Sequence, residues 1–95
     1  MKLFYKAPFK KFVKKQTRPL QLVIEDEVEK IAFNPDIGKV KKGDLTGFRV
    51  QTFSYGSQKF LIAYFIQGDE ILFYKIGPHE NFYRELKKYL KEVES

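Results

Sequence analysis

A chain of 95 residues with ten phenylalanines, six tyrosines and a net charge of +6 is long enough for one compact core and too short for two. The absence of cysteine excludes a disulfide framework, a thiolate zinc site and a cysteine nucleophile. No apolar stretch approaches the roughly 20 residues that span a bilayer and the N-terminus lacks a signal-peptide core, so we expect a soluble cytoplasmic protein with a single domain over residues 1–95.

The first eighteen residues carry +7 without a single acid. Lys2–Tyr5 predicts a short strand, and Pro8 suits the first turn of a following helix. Phe9, Phe12 and Val13 then recur at i, i+3 and i+4. This spacing predicts a short amphipathic helix whose wet side is rich in lysine.

A second helix is predicted from Pro19 to Asn34, where the Asn-Pro pair ends it. Its apolar stripe consists of Leu20, Val23, Ile24, Val28 and Ile31. Residues 19–36 carry a net charge of −4, and the acidic residues of this helix are Glu25, Asp26, Glu27 and Glu29. We interpret these carboxylates as a solvated face, in preference to a pair for acid and base chemistry.

Residues 36–47 predict a basic loop, because they are rich in glycine and lysine and lack periodicity. Three β-branched and aromatic runs separated by Gly-Ser and Gly-Asp follow: Phe48–Tyr55, Lys59–Ile66 and Ile71–Ile76. They predict an antiparallel meander. Apolar residues at helical spacing then predict a last helix that ends near Val93. The expected fold class is α+β: a short N-terminal strand, two helices, a three-stranded meander and a C-terminal helix.

Four blocks of sequence carry a family resemblance. They are Asn34-Pro35 with Gly38, residues 42–50, the strand segment Leu61–Tyr64, and Ile76–Lys87 with its His-Glu-Asn-Phe-Tyr-Arg segment. Together with the order of elements they resemble the RelE/ParE superfamily, the toxins of type II toxin–antitoxin systems. The resemblance implies a toxin that enters the ribosomal decoding site and cleaves the messenger by activating a ribose 2′-hydroxyl against the adjacent phosphate. It implies no metal and no cofactor, and a cognate antitoxin, the ribosome and mRNA as partners.

The candidate catalytic residues are Arg49, His79, Tyr83, Arg84 and Lys87. Arg49 lies where RelE-like enzymes place a basic residue, and its guanidinium can hold a phosphate; a structural pairing with a carboxylate is the alternative. His79 is the only histidine, a residue type that titrates near neutral pH; a locally bonded residue at a helix start is the alternative. Tyr83 can stack on a base or transfer a proton, unless it only covers the core edge. We expect Arg49, His79 and Tyr83 to surround one phosphate-sized space.

The clustered basic charge favours a polyanionic partner, because concentrated cations attract phosphates. The candidate RNA-binding lysines are Lys10, Lys11, Lys14, Lys15, Lys39, Lys41, Lys42 and Lys59. A solvated lysine-rich surface is the alternative interpretation.

Two positions depart from the family's nucleases. Gln51 and Leu61 stand where those enzymes often carry cations, although Lys59 can substitute for the second, and Tyr64 is expected in the core. The leading hypothesis is a ribosome-dependent mRNA endonuclease. A non-enzymatic ParE-type inhibitor of DNA gyrase and a non-toxic basic RNA-binding domain are the alternatives.

Overall fold

The computed structural model describes residues 1–93 and confirms the predicted α+β class. The helices are α1 (Ala7–Lys14), α2 (Arg18–Phe33) and α3 (Phe82–Val93). The strands are β1 (Lys2–Tyr5), β2 (Lys39–Val40), β3 (Phe48–Tyr55), β4 (Gln58–Gln67) and β5 (Glu70–Pro78). No helix within residues 1–93 is long and apolar enough to cross a membrane.

All five strands form one sheet in the order β1-β5-β4-β3-β2. The predicted meander is its centre, and β1 lies parallel to β5 at one edge. The two-residue strand β2 at the other edge was missed from the sequence, because an exposed pair inside a lysine-rich loop has no alternation to detect. Gly56 and Gly68 begin the two tight turns with positive φ, a conformation that glycine adopts without a steric cost.

The sheet is buried on both faces, which divides the core in two. Helices α1 and α2 cover one face, where Ile31, Ile62 and Tyr64 are fully buried. Helix α3 covers the other face and buries Phe82 and Leu86 against it. We call these the α2 side and the α3 side of the sheet.

A β-bulge interrupts the pairing of β4 with β5. Ala63 pairs with Lys75 and the next residue, Tyr64, pairs with Phe73, which leaves Tyr74 as the extra residue. Tyr74 packs in the α3-side core, and Lys75 lies over the Phe82 ring at 5.7 Å and pairs with a carboxylate of α3. The bulge therefore turns two successive side chains toward α3.

One acidic residue of α2 does not belong to the solvated face. Glu27 is buried, whereas Glu25, Asp26 and Glu29 are exposed as predicted. Its position three residues after Ile24 brings it onto the packed side of the helix. Lys30 Nζ donates to Glu27 Oε2 at 2.8 Å, which satisfies the carboxylate.

Candidate functional site

Four of the five candidate catalytic residues, His79, Tyr83, Arg84 and Lys87, lie just before α3 or in its first turns. His79 follows β5 directly and is exposed, and Tyr83 is half-buried in the first turn of the helix. Their ring centroids are 6.3 Å apart at an interplanar angle of 84°, an edge-to-face arrangement. Tyr83 also makes an edge contact of 5.4 Å with the buried Phe82 ring, which fixes its orientation.

Cations approach the same aromatic pair from the loop after β2 and from α3. Lys41 Nζ lies 4.8 Å from the centroid of the Tyr83 ring, within the range of a cation–π contact. Lys87 lies one helical turn after Tyr83, about 6 Å further along the axis. Its Nζ is 3.8 Å from Asp44 Oδ2, and both side chains are largely exposed. This surface thus combines an accessible imidazole, a tyrosine and two lysines.

Lys59 extends this surface toward the β3–β4 turn. It pairs with Ser54 on β3. Leu61, two residues further along β4, is buried in the α3-side core, so Lys59 lies on the same face of the sheet. Lys59 and His79 line one small cleft of about 330 Å³. We call His79, Tyr83, Lys41, Lys59 and Lys87 the α3-side cluster.

The expectation that Arg49 shares a space with His79 and Tyr83 is wrong. Arg49 pairs directly with Tyr64, whose ring is buried on the α2 side. Its Nη1 donates to the carbonyl oxygens of Asp36 at 3.2 Å and Gly38 at 3.0 Å, and its Nη2 is 3.4 Å from Asp36 Oδ1. The guanidinium is therefore used to hold the segment after α2, which is the structural role that the sequence left open.

Tyr64 completes that anchor and is in the core, as predicted. Its hydroxyl donates to Pro35 O at 2.6 Å and accepts from the Gly38 amide at 2.9 Å. Burial raises the pKa of Tyr64, as does the charge of Asp36, while the Gly38 hydrogen bond and Arg49 oppose the shift. Gly38 has no room for a side chain, since a Cβ there would be 2.6 Å from the Tyr64 hydroxyl.

Arg84 lies beside Tyr83 but is bonded locally. Its Nη2 donates to Asn81 Oδ1 at 2.7 Å, in place of the i,i+4 pair with Glu80 that the spacing predicts. Asn81 has a φ of 60°, a left-handed conformation that asparagine tolerates better than most residues. The bond helps to fix the turn that leads into α3, and Arg84 stays exposed at the margin of the cluster.

The candidate RNA-binding lysines are divided between the two sides of the sheet. Lys39 pairs with Val50 of the α3-side core, so it lies on the same side as Lys41 and Lys59. Lys42 is exposed in the loop that follows Lys41. The α1 lysines, which are Lys10, Lys11, Lys14 and Lys15, are exposed on a helix that packs on the α2 side. The α1 lysines are therefore attached to the opposite side of the sheet from Tyr83.

Several residues at this surface were not predicted from the sequence to lie there. Asp44 as the partner of Lys87, and Ser57, Gln58 and Glu80 around the cleft, come from turns whose meeting depends on long-range pairing. Gln51, on the same side as Arg49, is half-buried. Within residues 1–93, no group of three or more histidine, aspartate or glutamate side chains is arranged to hold a metal ion.

Comparisons with known proteins agree on one kind of protein. Residues 3–87 match the family model described as ParE-like toxin of type II bacterial toxin-antitoxin system. The fold is similar to that of a chain in the crystal structure of the intact E. coli RelBE toxin-antitoxin complex, with a TM-score of 0.66 and 12% identity over 83% of this chain and 96% of that one. It is also similar to the isolated E. coli RelE toxin, with a TM-score of 0.63 and 13% identity over 94% and 98%. No curated protein matches the sequence significantly.

Proposed function

Because this chain belongs to the ParE-like toxins of type II bacterial toxin–antitoxin systems, and so to the RelE/ParE superfamily, we propose that it arrests translation as a ribosome-dependent mRNA endonuclease. The observation that carries the proposal is the α3-side cluster, where an exposed His79 lies edge-on to Tyr83 among Lys41, Lys59 and Lys87. Such a surface has the groups that cleavage of RNA requires.

The reaction needs a base, an acid and cations around the phosphate. In our proposal His79 removes the proton from a ribose 2′-hydroxyl, whose oxygen then attacks the adjacent phosphorus. The bond to the 5′-oxygen breaks, Tyr83 returns a proton to that oxygen, and a 2′,3′-cyclic phosphate remains. Lys41, Lys59 and Lys87 balance the growing negative charge. Arg49, which was the first candidate for this task, has no part in it.

The proposal includes a cognate antitoxin as well as the ribosome and mRNA. The chain's fold resembles one in the intact E. coli RelBE toxin-antitoxin complex, and the exposed lysines of the α3 side are suited to an acidic segment. An antitoxin that covers the α3-side cluster would exclude messenger from it. The same lysines would thus bind the antitoxin in the inhibited state and the messenger in the active state.

Induced expression of His79→Ala and Tyr83→Phe variants tests the cleavage chemistry. We expect the wild-type chain to arrest growth and to produce new messenger 5′ ends. His79→Ala should relieve the arrest and lower cleavage by about 100-fold or more, since general acid–base catalysis contributes roughly 10²–10⁴-fold. Primer extension measures the cleavage. His79 is exposed, so the thermal midpoint of this variant should stay unchanged.

Arg49→Ala is the matched comparison. It should lower the free energy of unfolding, because two carbonyl groups and a carboxylate lose their partner, and it should retain cleavage in the folded fraction. If Arg49→Ala abolished cleavage at full stability while His79→Ala cleaved normally, the assignment of the α3-side cluster would be overturned.

A second candidate is non-enzymatic inhibition of DNA gyrase in the manner of ParE. Two observations favour it: Arg49 is engaged on the α2 side, and Leu61, at a position where nucleases of the family often carry a cation, is buried. A supercoiling assay with purified gyrase separates the two functions. The nuclease proposal expects no inhibition, whereas inhibition without messenger cleavage would establish the alternative.

A further inference from the structure

A cleft beside His79 has the size and chemistry of a subsite for one nucleobase. It lies between the β3–β4 turn and the turn that follows β5, and its volume is about 330 Å³. Ligand pockets in proteins run from roughly 300 to 1,000 Å³, so this cleft suits a small planar group better than a whole nucleoside. Its lining residues are Ser57, Gln58, Lys59, Pro78, His79 and Glu80.

The polar groups of this cleft include both acceptors and donors. Glu80 supplies a carboxylate, Lys59 an ammonium, and Gln58 an amide that offers both; all three side chains belong to exposed residues. An unpaired RNA base is recognised by stacking and by hydrogen bonds along its Watson–Crick and Hoogsteen edges, and the Watson–Crick edge differs among the four bases. The hydrogen-bond pattern of that edge therefore decides which base fits.

We propose that the cleft binds guanine. This inference rests on the proposed function and names the base that the same site prefers. Only guanine presents two adjacent donors, N1–H and the 2-amino group, which a carboxylate such as Glu80 can accept together. Its O6 is an acceptor for the Lys59 ammonium or the Gln58 amide. Adenine and cytosine place an acceptor in the middle of that edge, and uracil has one donor between two acceptors.

The position of the cleft links the base to the reacting groups. His79 belongs both to the cleft lining and to the edge-to-face pair with Tyr83, so a base in the cleft sets its own ribose and phosphate beside these two rings. The Lys59 ammonium offsets the repulsion between Glu80 and the RNA backbone. The cleft thus orients the RNA, and Glu80 and Gln58 are specificity-determining residues.

Binding of short uncleavable RNAs to the purified full-length chain tests the subsite. The probes are four 2′-O-methylated pentanucleotides with uridine everywhere except at the central position, which is G, A, C or U. We expect the G probe to bind at least about tenfold more tightly than the other three, since a good bidentate contact discriminates by roughly 1–3 kcal/mol. Amide shifts in an NMR titration should map to residues 57–59 and 79–80.

Glu80→Gln should reduce the preference for G to less than about threefold while the U probe binds as before. Asp69→Asn, which removes an exposed carboxylate from the β4–β5 turn, is the matched control and should keep the preference. Equal affinity for the four probes, or a preference that survives Glu80→Gln, would overturn the subsite. Because the probes cannot be cleaved, a G preference without messenger cleavage in cells would refute the nuclease activity and leave the subsite standing.

Discussion

At the scale of single residues, the anchor formed by Tyr64, Gly38 and Arg49 explains why the segment between α2 and β2 is fixed. Tyr64 Oη and the Arg49 guanidinium together bind the backbone of Pro35, Asp36 and Gly38. A buried hydroxyl that both donates and accepts satisfies backbone groups that would otherwise lose water without replacement. The loop that carries Lys41 and Asp44 toward α3 starts from this fixed point.

Gly38→Ala tests how tightly the anchor is packed. The new Cβ would be 2.6 Å from Tyr64 Oη and 2.9 Å from Tyr64 Cε1, so the ring or the loop must move. We expect a loss of about 1–3 kcal/mol in the free energy of unfolding, measured by urea denaturation. Gly77→Ala is the control, because its Cβ would meet Phe12 at an ordinary 3.8 Å. Equal stability of the two variants would contradict the close packing.

Tyr64 also predicts a decline of stability at alkaline pH. Its pKa is raised in the folded chain, so above pH 10.0, the ordinary value for tyrosine, the unfolded state releases its proton first and is favoured. Stability should therefore fall as the pH rises from about 10, with Tyr5 contributing in the same direction through burial and the charge of Glu25. In Tyr64→Phe, unfolding free energies measured between pH 8 and 11 should decline less steeply. Ile62→Val, a core variant without a titrating group, should keep the wild-type slope.

At the scale of elements, the sequence predicted the helices and the meander well, because each has a clear period. Helix α2 was expected from Pro19 to Asn34 and runs from Arg18 to Phe33, a displacement of one residue. It was harder to predict which side chains of β3 point to which side of the sheet. Phe48 and Val50 pack on the α3 side while Phe53 packs on the α2 side, so alternation does not distinguish the two faces.

This two-sided burial is the physical reason why Arg49 was assigned to the wrong space. A strand that is apolar on both faces gives no sign of which polar residue points toward a later helix. The pairing of Lys41 with Tyr83 and of Asp44 with Lys87 was equally hidden, since each joins residues about 40 positions apart in the chain. His79 and Tyr83 were found together because they are only four positions apart in the chain.

Helix α3 depends on a few buried side chains. Leu86 is fully buried, and Val93 near the end of the helix is 61% exposed. We expect Leu86→Ala to cost about 2–5 kcal/mol of unfolding free energy and to disturb the α3-side cluster, because a cavity would form beneath the helix. Val93→Ala should stay within about 0.5 kcal/mol. Urea titration compares the two, and a tolerated Leu86→Ala would mean that α3 is held mainly by its polar contacts.

At the scale of the whole molecule, a net charge of +6 is divided between two surfaces of different character. On the α3 side, Lys41, Lys59 and Lys87 surround the aromatic pair. On the α2 side, Lys10 and Lys14 face Glu25 and Glu29 across a groove of about 540 Å³, so part of the basic charge there is locally balanced. Electrostatic attraction for RNA is therefore expected to be strongest on the α3 side.

The salt dependence of RNA binding tests this division. Exchanging both Lys41 and Lys59 for glutamine should lower the slope of log affinity against log salt by roughly 1.4, since each phosphate contact with single-stranded RNA contributes about 0.7. The double exchange Lys10→Gln with Lys14→Gln removes the same charge and should change the slope by less than about half as much. Fluorescence anisotropy across a salt series gives both values. A larger effect of the α1 pair would locate the RNA on the other side of the sheet.

The parallel pairing of β1 with β5 has a consequence for the folding of the chain as the ribosome synthesises it. Within residues 1–93, β1 pairs in the sheet with β5 alone, so Lys2 is opposite Glu70, far along the chain. Contacts so distant in sequence form slowly and only once both partners have emerged. The β1 edge of the sheet is therefore expected to form after the β3–β4 hairpin, whose strands are adjacent in the chain.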